Sequence, residues 1–265
     1  MNIAGYVGGI GILGPGLNNW AEAAAVLSGR LAYEPAPTVL PVPAILPSTE
    51  RRRAGRVVKT ALAVALEATS CAGIEPAKLA SVFASSGGDG HNCHEICRAL
   101  ALEAREISPT RFANSVHNAA AGYWSIATGA KRASTVLCAF DASFCAGLLE
   151  ALTQVTVDEE SLLLIAYDTE YPDPIRSKRQ IPDAFGAALV LTPRREAGSL
   201  ARIEASLGFG PCEALADAGL ESLRGTNPAA RCLPLLRQLA MHVKGRTVLE
   251  YLDLSNTIVE VEPCN

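Results

Sequence analysis

The segment with the most chemical content is 112–153, FANSVHNAAAGYWSIATGAKRASTVLCAFDASFCAGLLEALT. It reads as helix, glycine, strand (134–140), sharp turn and helix (142–153). A strand-to-helix turn of this kind can present a nucleophile at a helix N-terminus, where the dipole lowers a thiol pKa. The residue in the turn is Asp141. Aspartate is a good N-cap and a poor nucleophile for acyl transfer. Two thiols flank it: Cys138 lies three residues earlier, inside the strand, and Cys145 four residues later, one turn into the helix. Each is read as core packing, or alternatively as a displaced nucleophile.

Three other groupings have chemically suggestive spacing. Gly9-x-Gly11-x-x-Gly14 follows a strand, and Glu34 lies where an acidic ribose ligand would stand, as in dinucleotide sites. Pro15 and Gly16 then keep the next helix away from any pyrophosphate, so the glycines are expected to form a plain turn. His91-x-Cys93-His94-x-x-Cys97 suggests a metal cluster, but zinc needs a compact second ligand pair, which the sequence lacks; no metal is expected. Arg51, Arg52, Arg53 and Arg56 cluster at an expected helix start, where cations oppose the dipole. They read as a solvated face or as a contact for an acidic partner or carrier protein. Arg176, Lys178 and Arg179 form a looser basic group in an exposed loop.

The elements that must hold these residues follow from periodicity. Strands are expected at 2–8, 79–86, 134–140, 161–167, 184–192, 201–207, 247–251 and 257–261, and helices at 18–28, 93–105, 119–128, 142–153 and 229–242. A further helix opens at Ser48 or Thr49 and ends at Gly73, and 34–47 is a proline-rich surface loop. Strands that are near-continuous apolar runs, alternating with helices, predict a mainly parallel α/β sheet covered on both faces.

With 265 residues, 49% hydrophobic, the chain has ample side chain for a core, which excludes disorder. A net charge of −4 and 5% aromatics argue against nucleic-acid binding. No apolar run nears the roughly 18 residues of a membrane span. The N-terminus lacks the basic start of a signal peptide, so a cytoplasmic protein is expected. Its eight cysteines then read as reduced thiols.

Several segments, in order, resemble the N-terminal half of β-ketoacyl synthases of the thiolase superfamily. IAGYVGGIGILGPGLNNW resembles the family's first strand and turn, and ERRRAGRVVKTALAVALEATSCAGI its second helical region. Asn118 through Gly122 to Gly129 resembles the dimer-interface helix, and 134–139 the strand leading to the catalytic cysteine. Counted without gaps from Asn118, Gly122, Gly129 and Ser134, the nucleophile position falls on Asp141, and Ser143 matches the serine after it. The family's second half, which supplies the active-site histidines, has no counterpart.

The resemblance implies a truncated thiolase-like fold. A ketosynthase-like domain would span 1–210, with a reduced extension, 211–265, packed on it. It implies no catalytic residue and no cofactor. The expected function is that of a chain-length factor: a non-catalytic subunit that pairs with a full-length β-ketoacyl synthase and shapes its acyl tunnel. Aryl polyene or related polyene and fatty-acid-like biosynthesis is the implied setting, with an acyl carrier protein meeting the complex. Phe112, Val116, Asn118, Gly122, Tyr123, Trp124 and Ser125 are the implied tunnel and interface residues. The alternatives are an independent acyltransferase or condensing enzyme using Cys138 or Cys145, and a nucleotide- or acyl-carrier-binding protein.

Overall fold

The computed structural model describes residues 3–265, so Asn2, at the start of the first expected strand, lies outside it. One eight-stranded sheet runs through the molecule in the order β3-β2-β4-β5-β1-β6-β8-β7. Its strands are β1 (Ile3–Leu13), β2 (Ala80–Ala84), β3 (Ser134–Leu137), β4 (Leu162–Asp168), β5 (Phe185–Thr192), β6 (Ala201–Gly208), β7 (Gly245–Leu252) and β8 (Ser255–Pro263). Only β2–β3 and β2–β4 pair in parallel. The β4–β5, β1–β5, β1–β6, β6–β8 and β7–β8 pairs are antiparallel.

The expectation of a mainly parallel sheet is therefore corrected, and the reason is physical. An uninterrupted apolar run reports burial on both faces, not strand direction. In β4, Leu163, Ile165 and Tyr167 enter one core while Leu162, Leu164 and Ala166 enter the other. Antiparallel β5 divides in the same way, with Ala188 and Val190 on one side and Ala187, Leu189 and Leu191 on the other.

Helices form the two outer layers. On one face lie α3 (Arg56–Ala72) and α6 (Ala119–Thr128), with Leu62, Val64, Ala65 and Trp124 in the core. On the other lie α1 (Trp20–Leu27), α7 (Ser143–Asp158), α8 (Ala218–Thr226) and α9 (Leu233–Met241). Residues 211–265 continue the sheet through β8 and β7, and α9 packs on α1. Sequence periodicity did not predict α8, nor the short α5 (Pro109–Ala113).

The glycine-rich stretch is strand, not turn, as far as Leu13. A Cβ on Gly9 would lie 2.2 Å from the Ala68 carbonyl oxygen, and one on Gly11 2.0 Å from that of Val64. These glycines let the backbone of α3 rest directly on β1. The space a pyrophosphate would need is filled by a helix, which removes the nucleotide reading.

The helix expected from Ser48 onward is two, α2 (Ser48–Arg53) and α3, broken at Ala54 and Gly55. Arg51, Arg52 and Arg53 therefore form the last turn of α2, where cations suit the dipole, rather than a helix start. Gly73 closes α3 in the left-handed conformation, as the sequence predicts.

Candidate functional site: a closed elbow beside an open face

The parallel trio β3, β2 and β4 delivers three C-terminal strand ends to one side of the sheet. β3 stops at Leu137, and a single 3-10 turn, Phe140–Ala142, leads into α7. Phe140 holds a left-handed φ of 52°, which costs a residue with a side chain about 1 kcal/mol or more. The buried Ser143 staples the turn. Its Oγ accepts the Ala139 N–H at 3.0 Å and donates to the Phe140 carbonyl at 2.7 Å.

Asp141 stands in this elbow with both carboxylate oxygens engaged. Arg179 donates to one, and Arg231 to the other at 3.1 Å. The Arg179 guanidinium also covers the Phe140 ring, 3.8 Å from its centroid. Arg231 bonds onward to Glu250 on β7 at 2.7 Å. A cleft of about 780 Å³ separates the elbow from the β7–β8 hairpin and is lined by Phe140, Asp141, Arg231, Glu250 and Leu254. The group that the elbow presents to this cleft is an ion-paired carboxylate.

The two neighbouring thiols differ sharply. Cys145 is buried in the core, and burial pushes its thiol up to about 12. Cys145 is thereby placed for packing and not for attack on a substrate. Cys138 is exposed, and its thiol donates to the Ser86 carbonyl at 3.1 Å.

Beneath it lies a polar cluster that the sequence reading missed. Asp168, at the end of β4, accepts from Ser86 N–H at 2.9 Å, Ser86 Oγ at 2.7 Å and Ser85 Oγ at 3.4 Å. Its second oxygen is buried with no hydrogen-bond partner among the described residues, and burial raises the carboxyl to about 6 against the opposing pull of the serine bonds and Arg179. His117 Nε2 lies 3.3 Å from the Ser85 carbonyl oxygen. The available signal was the abrupt polar ending of two apolar runs, SSGG after β2 and the Asp168 that closes LLLIAYD.

The expected tunnel and interface residues divide into two sets. Phe112 is 67% exposed, and Val116, Asn118 and Gly122 are exposed with it. Ser125 is half-buried. Tyr123 and Trp124 turn inward, and Trp124, 1% exposed, packs in its own core. Tyr123 Oη donates to Asn114 Oδ1 at 3.2 Å, closing the loop between α5 and α6. The outward stripe gains Ile126, one turn beyond Gly122, which the sequence reading left out. Glu50, Arg53, Val116, Asn118, Gly122 and Ile126 line a cleft of about 320 Å³. Beside the stripe, β3 forms one edge of the sheet.

The four arginines do not converge. Arg51 Nη2 donates to the Ala44 and Leu46 carbonyls, both at 2.8 Å. Arg53 pairs with Glu50 at 3.2 Å, and Arg56 bridges Glu170 at 2.6 Å and Asp183 at 2.7 Å. Arg52 is exposed. Cys93 and Cys97 are exposed one turn apart on α4 (Gly90–Ala101), which Asp89 caps. Among the described residues no group of three or more His, Cys, Asp or Glu side chains could hold a metal ion. None of the described helices is long and apolar enough to cross a membrane.

The mixed sheet between helical layers, with an elbow at the end of its parallel strands, defines a thiolase-like ketosynthase fold. Residues 19–222 match the family model for the β-ketoacyl synthase N-terminal domain, and the chain belongs to that family. No curated protein matches the sequence. Among solved structures, the chain is similar to the ketosynthase ApeO in complex with its chain length factor ApeC from Xenorhabdus doucetiae. That match has a TM-score of 0.72 at 21% identity, covering 97% of this chain and 99% of that one. It is also similar to a type II polyketide acyl-carrier protein in complex with its ketosynthase bound to the hexaketide (TM-score 0.80, 11% identity, all of both chains). A third is the ishigamide ketosynthase/chain length factor (TM-score 0.72, 14% identity, 99% of this chain and 100% of that one). At these identities the likeness is one of fold.

Proposed function

We propose that this chain is the non-catalytic, chain-length-factor-type subunit of a ketosynthase pair. A full-length β-ketoacyl synthase would be its partner, and an acyl carrier protein would meet the complex. The observation that carries this reading is Asp141, ion-paired to two arginines at the elbow where acyl transfer needs a thiol. The similar solved structures include two complexes of a ketosynthase with a chain length factor, which supports the same role.

The apolar stripe of Val116, Gly122 and Ile126 and the edge of β3 are the surfaces offered to the partner. An unpaired edge beside exposed aliphatic side chains favours association. Phe112 and Val116 project from this surface and would set the depth of the partner's acyl pocket. Polyene or fatty-acid-like synthesis in the cytoplasm is the setting proposed.

The test is co-expression with a full-length ketosynthase encoded nearby, with one subunit tagged and the mass read by size exclusion with light scattering. A stable one-to-one complex supports the proposal. A free chain that ignores the ketosynthase removes it.

One observation favours a second reading: Cys138 is exposed at the end of β3, beside the Ser86 carbonyl. If the chain transferred acyl groups by itself, incubation with an acyl thioester would acylate Cys138, and mass spectrometry would find the adduct. An unmodified Cys138 after turnover by the complex leaves the partner role alone.

A further inference from the structure

The proline-rich segment 34–47 is a strap fixed at both ends. At one end the Thr38 N–H donates to Asp183 Oδ2 at 2.7 Å, and Thr38 Oγ1 donates to the Ala184 carbonyl at 2.8 Å. At the other, Leu46 is buried and Arg51 clamps the Ala44 and Leu46 carbonyls. Between these anchors Pro41 and Pro43 stiffen the chain. Val39 and Val42, 73% and 70% exposed, remain open to solvent.

Under the strap, against the outer face of α3, lies a cleft of about 640 Å³ that shares no lining residue with the elbow. A preformed, mainly apolar cavity of this size with a few polar groups has the make-up of a small-molecule site.

The charges on its rim select the ligand. Glu67 has both oxygens engaged, by the Ile12 N–H at 2.9 Å and the Trp20 N–H at 2.6 Å. Lys59 lines the cleft two turns earlier on α3, and no hydrogen bond or ion pair to its ammonium occurs among the described residues. The wall between them is Leu62, Ala63 and Leu66, faced by Val42 and Ile45 of the strap. Lys59 and Glu67 are eight residues apart, roughly 12 Å along the helix.

We propose that this cleft binds a medium-chain acyl carboxylate, its head group on Lys59 and its chain along Leu62 and Leu66 beneath the strap. The bound chain covers Val42, and the carboxylate gives Lys59 the partner it lacks. Arg51, which the sequence marked as a contact for an acidic partner, acts here on the strap, holding the Ala44 and Leu46 carbonyls.

The probes are decanoate and 1-decanol, titrated into the full chain by calorimetry and mapped by methyl NMR shifts. Decanoate is expected to bind and to shift Val42, Leu62 and Leu66. Lys59→Met should weaken decanoate about tenfold and leave 1-decanol unchanged. Ala63→Trp, which fills the cleft, should abolish both. The proposal is overturned if decanoate does not bind, if its shifts map away from α3 and the strap, or if Lys59→Met binds it unchanged. A protein partner captured by the strap in place of either probe would overturn it too.

Discussion

At the scale of single residues, Asp141 is tied into the fold through both of its carboxylate oxygens. The Asp141 carboxylate, Arg179 and Arg231 tie the turn to the 169–183 loop and to the C-terminal hairpin. Asp141→Ala should cost about 1–2 kcal/mol in urea unfolding, since the network is partly exposed but joins three segments. Trp124→Ala should cost more, about 3–5 kcal/mol, because it empties a core position. Phe112→Ala should leave stability unchanged and lengthen the products of the complex, read by mass spectrometry. The sequence placed Asp141 in the strand-to-helix turn, and the family resemblance aligned it with the nucleophile position, but neither revealed its partners, which lie 38 and 90 residues away. Asp168 supplies a pH signature. Its folded carboxyl is raised to about 6, with Tyr167, Tyr171 and Arg179 around it. The unfolded chain loses that proton near pH 4, so stability falls as pH rises from about 4 to about 6, by about 3 kcal/mol. Unfolding curves across this window should flatten in Asp168→Asn.

At the scale of elements, α3 rests directly on β1, with backbone against backbone at Gly9 and Gly11. Gly11→Ala would drive a methyl into the Val64 carbonyl and should cost about 3 kcal/mol or more, seen as a lowered Tm. Most elements were legible because both faces of the central strands and one face of each long helix are apolar. Strand direction was not legible, since burial on two faces looks the same in either orientation. The glycines of β1 were read as a turn because their reason for being small lies across space, in the backbone of α3. Helix α6 was legible from end to end, yet its two faces were not told apart. Trp124 fills its own core while Ile126 faces out. Ile126→Arg should leave the melting of the free chain within about 0.5 kcal/mol of wild type and abolish the ketosynthase complex in light scattering.

At the scale of the whole molecule, the two ends of the sheet are unlike. The β7 end is guarded: Lys244, Arg246, Glu260 and Glu262 form cross-strand charge pairs, and the ladder is irregular between Leu249 and Leu252. The β3 end is a four-residue strand, STVL, which carries no charged side chain. The family resemblance made the second half of the fold look absent, so the antiparallel continuation through β6, β8 and β7 came mainly from local strand signals. This asymmetry favours strand addition at the β3 end over the β7 end. A protein with two open edges can add copies without limit, whereas this one can be extended on a single side. On the pairing proposed above, a ketosynthase strand at β3 would fill the uncharged edge, and the charged β7 edge would resist any further strand.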